Sequence, residues 1–220
     1  MVIGFILAAY SVVGNDVIQT LGTFLSSNSE KKWYWLWAYT TVIMLVVLTV
    51  GWWQNDIAYG RLDRVVIPEV FHWWYVLPPL ILLFITRLGV PVSTTFLVLS
   101  VFSMGSFESI WDAFGSDQLI SKMLIKSGSG YVIAFAAAAV IYLLITKTIE
   151  KYFIDNPITK KQKVFWTIVQ WISAAALWTS WLMQDLANIY VYLPRKEDLS
   201  ISWFIFSRII SHGFTHATFT

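Results

Sequence analysis

The sequence predicts an all-α fold, a polytopic bundle of transmembrane helices, and three observations lead to that prediction. Of the 220 residues, 57% are hydrophobic and 13% are charged, whereas soluble domains carry about 25% charged residues. Several stretches of the sequence contain no Asp, Glu, Lys or Arg over about 20 residues, a length that crosses a bilayer as a helix. Many of the 13 Trp residues lie near the ends of these stretches, where the indole ring favours the headgroup layer.

The composition also excludes several classes of function. The sequence has no cysteine, which excludes disulfide frameworks, thiolate nucleophiles and Cys-based metal sites. Its 15 basic and 13 acidic residues give a net charge of +2, too even for a nucleic-acid-binding surface. The sequence contains no glycine-rich phosphate loop, so nucleotide-driven transport is not indicated. We therefore expect no nucleic-acid partner, no cofactor and no enzymatic activity.

Four uninterrupted segments are expected to cross the membrane as helices. Residues 1–25 contain a single acid, and residues 33–53 contain no charge. Further along the chain, residues 127–146 are free of charge, and residues 164–184 end beside Asp185. Each segment has about the length of a spanning helix. We therefore expect an integral, multi-pass protein of the plasma or inner membrane.

Between the second and third of these segments lie two apolar stretches that are interrupted, residues 70–86 and 88–107. Both contain residues that disturb a helix. We therefore expect a re-entrant hairpin over residues 72–106 rather than two full spans. The disturbing residues are Pro78, Pro79, Gly89 and Pro91.

The placement of Lys and Arg predicts the orientation of the chain. Residues 147–163 form the most basic loop, and the first loop carries Lys31 and Lys32. Both loops are expected to be cytoplasmic, because basic loops stay on that side of the membrane. Residues 54–69 balance Arg with Asp and Glu, so we place this loop outside.

Two isolated acids, Asp16 and Asp185, stand in or beside apolar segments. Inserting such a residue costs about 2.5–3.5 kcal/mol, which makes function the default explanation. Both acids occur in the pattern amide–Asp–aliphatic–x–amide, and the predicted orientation makes the two copies run in opposite directions. The sequence therefore predicts an inverted-topology repeat, with a first repeat over residues 1–160 and the start of a second over residues 161–220.

The polar residues of these motifs suit the binding of two kinds of ion. Carboxylate and amide oxygens at the bilayer midplane can replace the hydration shell of a small cation. Hydroxyl groups beside helix-breaking residues can hold an oxyanion together with free backbone N–H groups. The candidate cation ligands are Asn15, Asp16, Gln19, Gln184, Asp185 and Asn188, and the hydroxyl groups belong to Ser93, Thr94 and Thr95.

Three short motifs resemble those of the PiT family of inorganic phosphate transporters. Residues 15–17 (Asn-Asp-Val) and 185–188 (Asp-Leu-Ala-Asn) are similar to the family's Gly-Ala-Asn-Asp-Val-Ala-Asn motif, which occurs once in each inverted half. Residues 91–95 (Pro-Val-Ser-Thr-Thr) match its hairpin motif. Gly14, Gln19, Gln184 and Phe96 depart from the family pattern.

The resemblance implies a secondary transporter that couples uptake of inorganic phosphate, or a similar small oxyanion, to sodium or protons. It places Asp16, Asp185 and the Ser93–Thr95 hydroxyls in one substrate site. A second hairpin, spaced from Asp185 as Thr94 is from Asp16, would lie beyond Thr220. We therefore expect a truncated second repeat, with a second chain or another copy of this one as a possible source of the missing hairpin.

Two alternatives stay open at this point. The chain could be a non-transporting membrane subunit or an inactive fragment, with its polar residues serving helix packing. It could also be an intramembrane aspartyl protease, because paired carboxylates that share a proton can activate water. The sequence around Asp16 lacks the second Gly expected of that protease motif, and the Ser-Thr-Thr hairpin would have no use there.

Overall fold

The computed structural model describes residues 1–63, 65, 68–90, 92–103 and 119–193. Every regular element within those ranges is a helix, as the sequence predicts. A 3₁₀ turn, Trp73–Val76, precedes the third α-helix, and a π-helical turn, Tyr142–Thr146, joins the fifth to the sixth. The α-helices are α1 (Val2–Ser27), α2 (Trp33–Trp53), α3 (Leu77–Arg87), α4 (Thr94–Ser103), α5 (Leu119–Ile141), α6 (Lys147–Asp155), α7 (Lys160–Asp185) and α8 (Ala187–Tyr190).

Three helical segments of the described chain are long and apolar enough to cross a membrane. They are α1, α2 and the continuous run Ile125–Asp155, which contains the predicted 127–146 span. The predicted 164–184 span also forms a helix, α7, and its 26 residues have sufficient length. The mean hydropathy of α7 is lower than that of the other three segments, because Gln, Ser, Thr and Trp side chains interrupt the aliphatic ones.

Local sequence signals explain where several helices begin. Thr159 and Gln162 form a capping box at the start of α7: the Thr159 hydroxyl accepts from the Gln162 N–H at 3.4 Å, and the Gln162 side chain accepts from the Thr159 N–H at 2.9 Å. Pro78 and Pro79 stand in the first turn of α3, where the missing N–H groups cost nothing. The two prolines therefore start a helix and do not interrupt an apolar stretch, contrary to the prediction from the sequence.

Helices α3 and α4 are separated by a few residues, and local hydrogen bonds define the end of the first and the start of the second. At the end of α3, Gly89 has φ +71°, and the N–H groups of Gly89 and Val90 donate to Thr86 (3.0 Å) and Ile85 (3.3 Å). This is a Schellman ending, which favours glycine. Ser93 then caps α4 by accepting from the Phe96 N–H at 3.3 Å. Pro91 and residues 104–106 of the predicted hairpin lie outside the described residues.

Helix α1 lies at the centre of the bundle. It packs most extensively against α3 and also contacts α4, α7 and α8. Small side chains such as Ala8 and Ala9 are fully buried on this helix and allow close approach. A Cβ on Gly4 would lie 2.6 Å from the Tyr192 ring. The Tyr192 hydroxyl in turn donates to the Tyr75 carbonyl at 2.9 Å, so the two ends of the described chain pack together.

The run Ile125–Asp155 differs from the rest of the bundle because none of its most apolar window is buried. Large side chains along it are open to the surroundings, such as Phe135 (79% exposed) and Leu144 (70% exposed). It joins the bundle through contacts between α4 and α5. An apolar helix exposed on all sides is suited to contact with lipid.

Candidate functional site

Helices α1 and α7 pack in opposite directions, and hydrogen bonds between the end of α1 and the first half of α7 set their relative position. The Asn28 amide donates to Gln170 Oε1 at 3.3 Å and accepts from Trp171 Nε1 at 3.3 Å. At 1.5 Å per residue, Asp16 lies about 18 Å along α1 from Asn28, and Asp185 lies about 22 Å along α7 from Gln170. The two acids, far apart in sequence, therefore reach nearly the same level of the bundle.

Four side chains form a compact hydrogen-bonded group that we call the Asp185 cluster: Asp185, Thr94, Thr95 and Asn188. Asp185 Oδ1 accepts from the Thr94 hydroxyl (3.1 Å), the Thr95 hydroxyl (2.9 Å) and Asn188 Nδ2 (2.6 Å). Asn188 Nδ2 also lies 3.1 and 3.2 Å from the two hydroxyl oxygens. The end of α7, the start of α4 and the short helix α8 thus meet at a single carboxylate oxygen.

Asp16 faces this cluster from the middle of α1. Its side chain is 3% exposed, and it lies within electrostatic reach of both Asp185 and Thr94. Among the described residues, Asp16 Oδ2 has no hydrogen-bond partner, and neither does the fully buried Asn188 Oδ1. An unpaired buried oxygen of this kind is costly. Two of them beside one cluster suit a cation or a proton as the missing partner.

The amides that follow the first acid connect α1 to the α3–α4 turn. The Asn15 amide is hydrogen-bonded to the Thr86 hydroxyl at 3.1 Å and to the Gln19 amide. Gln19 Nε2 also donates to the Val92 carbonyl at 3.4 Å. Asn15 therefore holds the end of α3, whereas Gln19 reaches the turn that leads into α4.

A cavity of about 700 Å³ brings most of the predicted site residues together. All five predicted substrate ligands line it, as do the predicted cation ligands Gln19 and Gln184. Asn15 and Asn188 adjoin the cavity through the hydrogen bonds given above. The predicted residues in the cavity wall are Asp16, Gln19, Ser93, Thr94, Thr95, Gln184 and Asp185.

The cavity wall also contains a residue that the sequence analysis missed, Arg61. It belongs to the loop between α2 and α3, and its charge interacts favourably with that of Asp185. The buried Arg61 Nε has no hydrogen-bond partner in the part of the chain that the structure describes. Acidic and basic residues balance each other in this loop, so nothing in its sequence distinguishes Arg61. The loop reaches the cavity only through tertiary folding.

Comparison with known proteins identifies no relative: no family model, no curated protein and no solved structure matches the chain. The resemblance to phosphate transporters therefore rests on three short motifs. Two of them meet in the Asp185 cluster, and the third contributes the buried Asp16 beside it. The described residues contain no group of three or more His, Cys, Asp or Glu side chains that could hold a metal ion.

Proposed function

We propose that the chain is a cation-coupled secondary transporter of inorganic phosphate or a similar small oxyanion. The observation that carries the proposal is the meeting of two carboxylates with three hydroxyl groups in one cavity. These groups come from helices α1 and α7 and from the start of α4, which are distant in sequence. Carboxylate and amide oxygens suit a small cation, and hydroxyl groups suit an oxyanion.

The length of helix α3 supports placing this cavity near the bilayer midplane. Helix α3 has 11 residues, or about 16 Å at 1.5 Å per residue. That is about half of the 30 Å hydrocarbon core, as a re-entrant hairpin requires. The antiparallel packing of α1 and α7, which carry the matching Asp motifs, supports an inverted repeat.

The Asp185 cluster suggests how a cation and an oxyanion are coupled. A hydroxyl group has one hydrogen to donate, and Thr94 and Thr95 both donate theirs to Asp185 Oδ1. A sodium ion or proton that neutralises Asp185 releases these two donors, and the hydroxyls can then rotate toward an oxyanion. Each ligand thereby favours the binding of the other, which is the requirement for coupled transport.

Uptake into proteoliposomes tests the proposal. The full chain is reconstituted, and uptake of labelled phosphate is measured under an inward sodium gradient, an inward proton gradient or neither. We expect one gradient to accelerate uptake. Asp16→Asn keeps the shape of the side chain but removes its charge, and we expect it to abolish the coupled uptake while expression stays intact.

The matched control is Asp155→Asn, which removes an exposed carboxylate at the end of α6 and should leave uptake unchanged. Coupled uptake that survives Asp16→Asn would contradict the proposal. A folded protein that transports no phosphate under any gradient would favour the alternative of a non-transporting membrane subunit.

A further inference from the structure

The loop between α2 and α3 is folded inward and holds Arg61 at the cavity. Ile57 and Ala58 are buried at 1% and 2% exposure. The Tyr59 hydroxyl donates to the Val47 carbonyl of α2 at 2.6 Å, and the Gly60 N–H donates to Asp56 Oδ2 at 2.5 Å. With φ of +72° at Gly60, the chain turns sharply just before Arg61. These contacts fix Arg61 in the cavity wall.

The acidic residues of the cavity wall disfavour the entry of an oxyanion. Asp16 and Asp185 line its wall, and both repel an anion when ionised. The hydroxyl donors of Thr94 and Thr95 are occupied by Asp185. The positive charge for an oxyanion must therefore come from the other wall residues, of which Arg61 and Lys126 are cationic and Arg61 is the more buried.

Arg61 can supply both this charge and hydrogen-bond donors. Its guanidinium has five N–H donors in a planar fork, which matches two oxygens of a phosphate. Its buried Nε is unpaired among the described residues, so the side chain has donor capacity to spare. Its charge interacts favourably with that of Asp185, and both residues line the same cavity.

We propose that Arg61 binds the oxyanion directly and favours a tetrahedral oxyanion such as phosphate through bidentate hydrogen bonds. This inference rests on the proposed function, because it assigns the anion ligand of the same cavity. The charge of Arg61 interacts favourably with that of Asp185. When a cation occupies Asp185, Arg61 and the released hydroxyls of Thr94 and Thr95 surround the oxyanion together.

The test compares phosphate affinity in variants of the full chain in phosphatidylcholine nanodiscs, by calorimetry in sodium buffer at fixed pH. Loss of a charge-assisted hydrogen bond weakens binding at least about tenfold, and we expect this for Arg61→Gln. Arg61→Lys keeps the charge but loses the second hydrogen bond of the fork, so its phosphate affinity should fall between those of Arg61→Gln and the unchanged protein. The control, Arg87→Gln, removes an exposed arginine at the end of α3 and should change affinity less than about twofold.

The unfolding midpoint of each ligand-free variant separates binding from structure. We expect Arg61→Gln and Arg61→Lys to unfold close to the unchanged protein. Unchanged phosphate affinity in Arg61→Gln would overturn the inference alone. Equal losses in both Arg61 variants, with lowered midpoints, would assign Arg61 a structural role. Absence of phosphate binding by the unchanged protein would overturn the proposed function and this inference with it.

A lipid headgroup presents the same phosphate chemistry as free phosphate. A second set of nanodiscs therefore contains phosphatidylglycerol. We expect phosphate affinity to be the same in both sets. Competition by the anionic lipid that depends on Arg61 would identify a lipid headgroup as the anion and overturn the assignment of free oxyanion.

Discussion

At the scale of single residues, the position of one hydrogen atom decides what Thr94 and Thr95 can bind. Each hydroxyl donates to Asp185 Oδ1 and lies close to Asn188 Nδ2 as an acceptor. Each hydroxyl in the Asp185 cluster thus has its donor in use, so the two threonines cannot donate to an anion while Asp185 keeps these bonds.

The variant Thr94→Val tests this role, because valine has the shape of threonine without the hydroxyl. We expect phosphate uptake to fall about tenfold, as after loss of a hydrogen bond to a charged group. The control is Thr49→Val, whose hydroxyl donates to the Leu45 carbonyl on the exposed side of α2 at 2.7 Å. Equal losses for every solute tested would indicate misfolding and contradict a specific role for Thr94.

At the scale of elements, the turn between α3 and α4 determines where Ser93, Thr94 and Thr95 stand. The Schellman ending of α3 and the Ser93 cap of α4 leave only a few residues between the two helices. Gly89 adopts φ +71° there, a conformation that side chains other than glycine rarely adopt. The geometry of the site therefore depends on one glycine outside the cavity.

Two glycine substitutions isolate this effect. An added Cβ meets nothing within 4 Å at either Gly89 or Gly22, so only backbone conformation distinguishes the two sites. We expect Gly89→Ala to lower the free energy of unfolding by about 1–2 kcal/mol. Gly22→Ala, within α1, should raise it by about 0.5–1 kcal/mol. Denaturant unfolding in detergent measures both values, and equal changes of the same sign would contradict this explanation.

The first and last residues of a helix could be predicted from the sequence where a single physical cause determines them. Helix α2 follows the uncharged stretch 33–53 residue for residue, because nothing within that stretch interrupts its apolar character. The start of α3 was less clear, because Pro78 and Pro79 are compatible with either a break or a first turn. Neighbouring contacts decide between these outcomes: the preceding 3₁₀ turn buries Tyr75 against the bundle.

Some residues of the site could likewise be predicted from the sequence, and one could not. The two Asp motifs and the hydroxyl triplet could be found from the sequence, since a polar residue in an apolar segment is conspicuous. Arg61 could not be found, because a charged residue in a polar loop is ordinary. Its role depends on the turn at Gly60 and on the anchoring of Tyr59 to α2, which are tertiary features.

At the scale of the whole molecule, orientation in the membrane decides from which side the cavity fills. The loop that carries Arg61 borders the cavity, and we expect that loop to lie outside. The basic residues Lys160, Lys161 and Lys163 at the start of α7 are expected inside. We therefore expect the part of the cavity that Arg61 lines to lie toward the outer side.

The sequence has no cysteine, so single cysteines report orientation without a background. In intact cells, we expect a membrane-impermeant maleimide to label Asp63→Cys at once. It should label Lys161→Cys only after the membrane is permeabilised. Both positions are exposed in the structure. The opposite pattern of labelling would reverse the predicted orientation and place the loop that carries Arg61 on the cytoplasmic side.

Because Asn28 contacts Gln170 and Trp171 at one end of the α1–α7 pair, a small change in the angle between the two helices moves their other ends by a large distance. With Asn28 as the pivot and an arm of about 18 Å, a change of about 5° between the helices moves Asp16 by about 1.6 Å. A binding site tolerates displacements of only about 0.5 Å. A slight rocking at one end of these two helices is thus sufficient to bring Asp16 and Asp185 together or to move them apart at the other, without unfolding any helix.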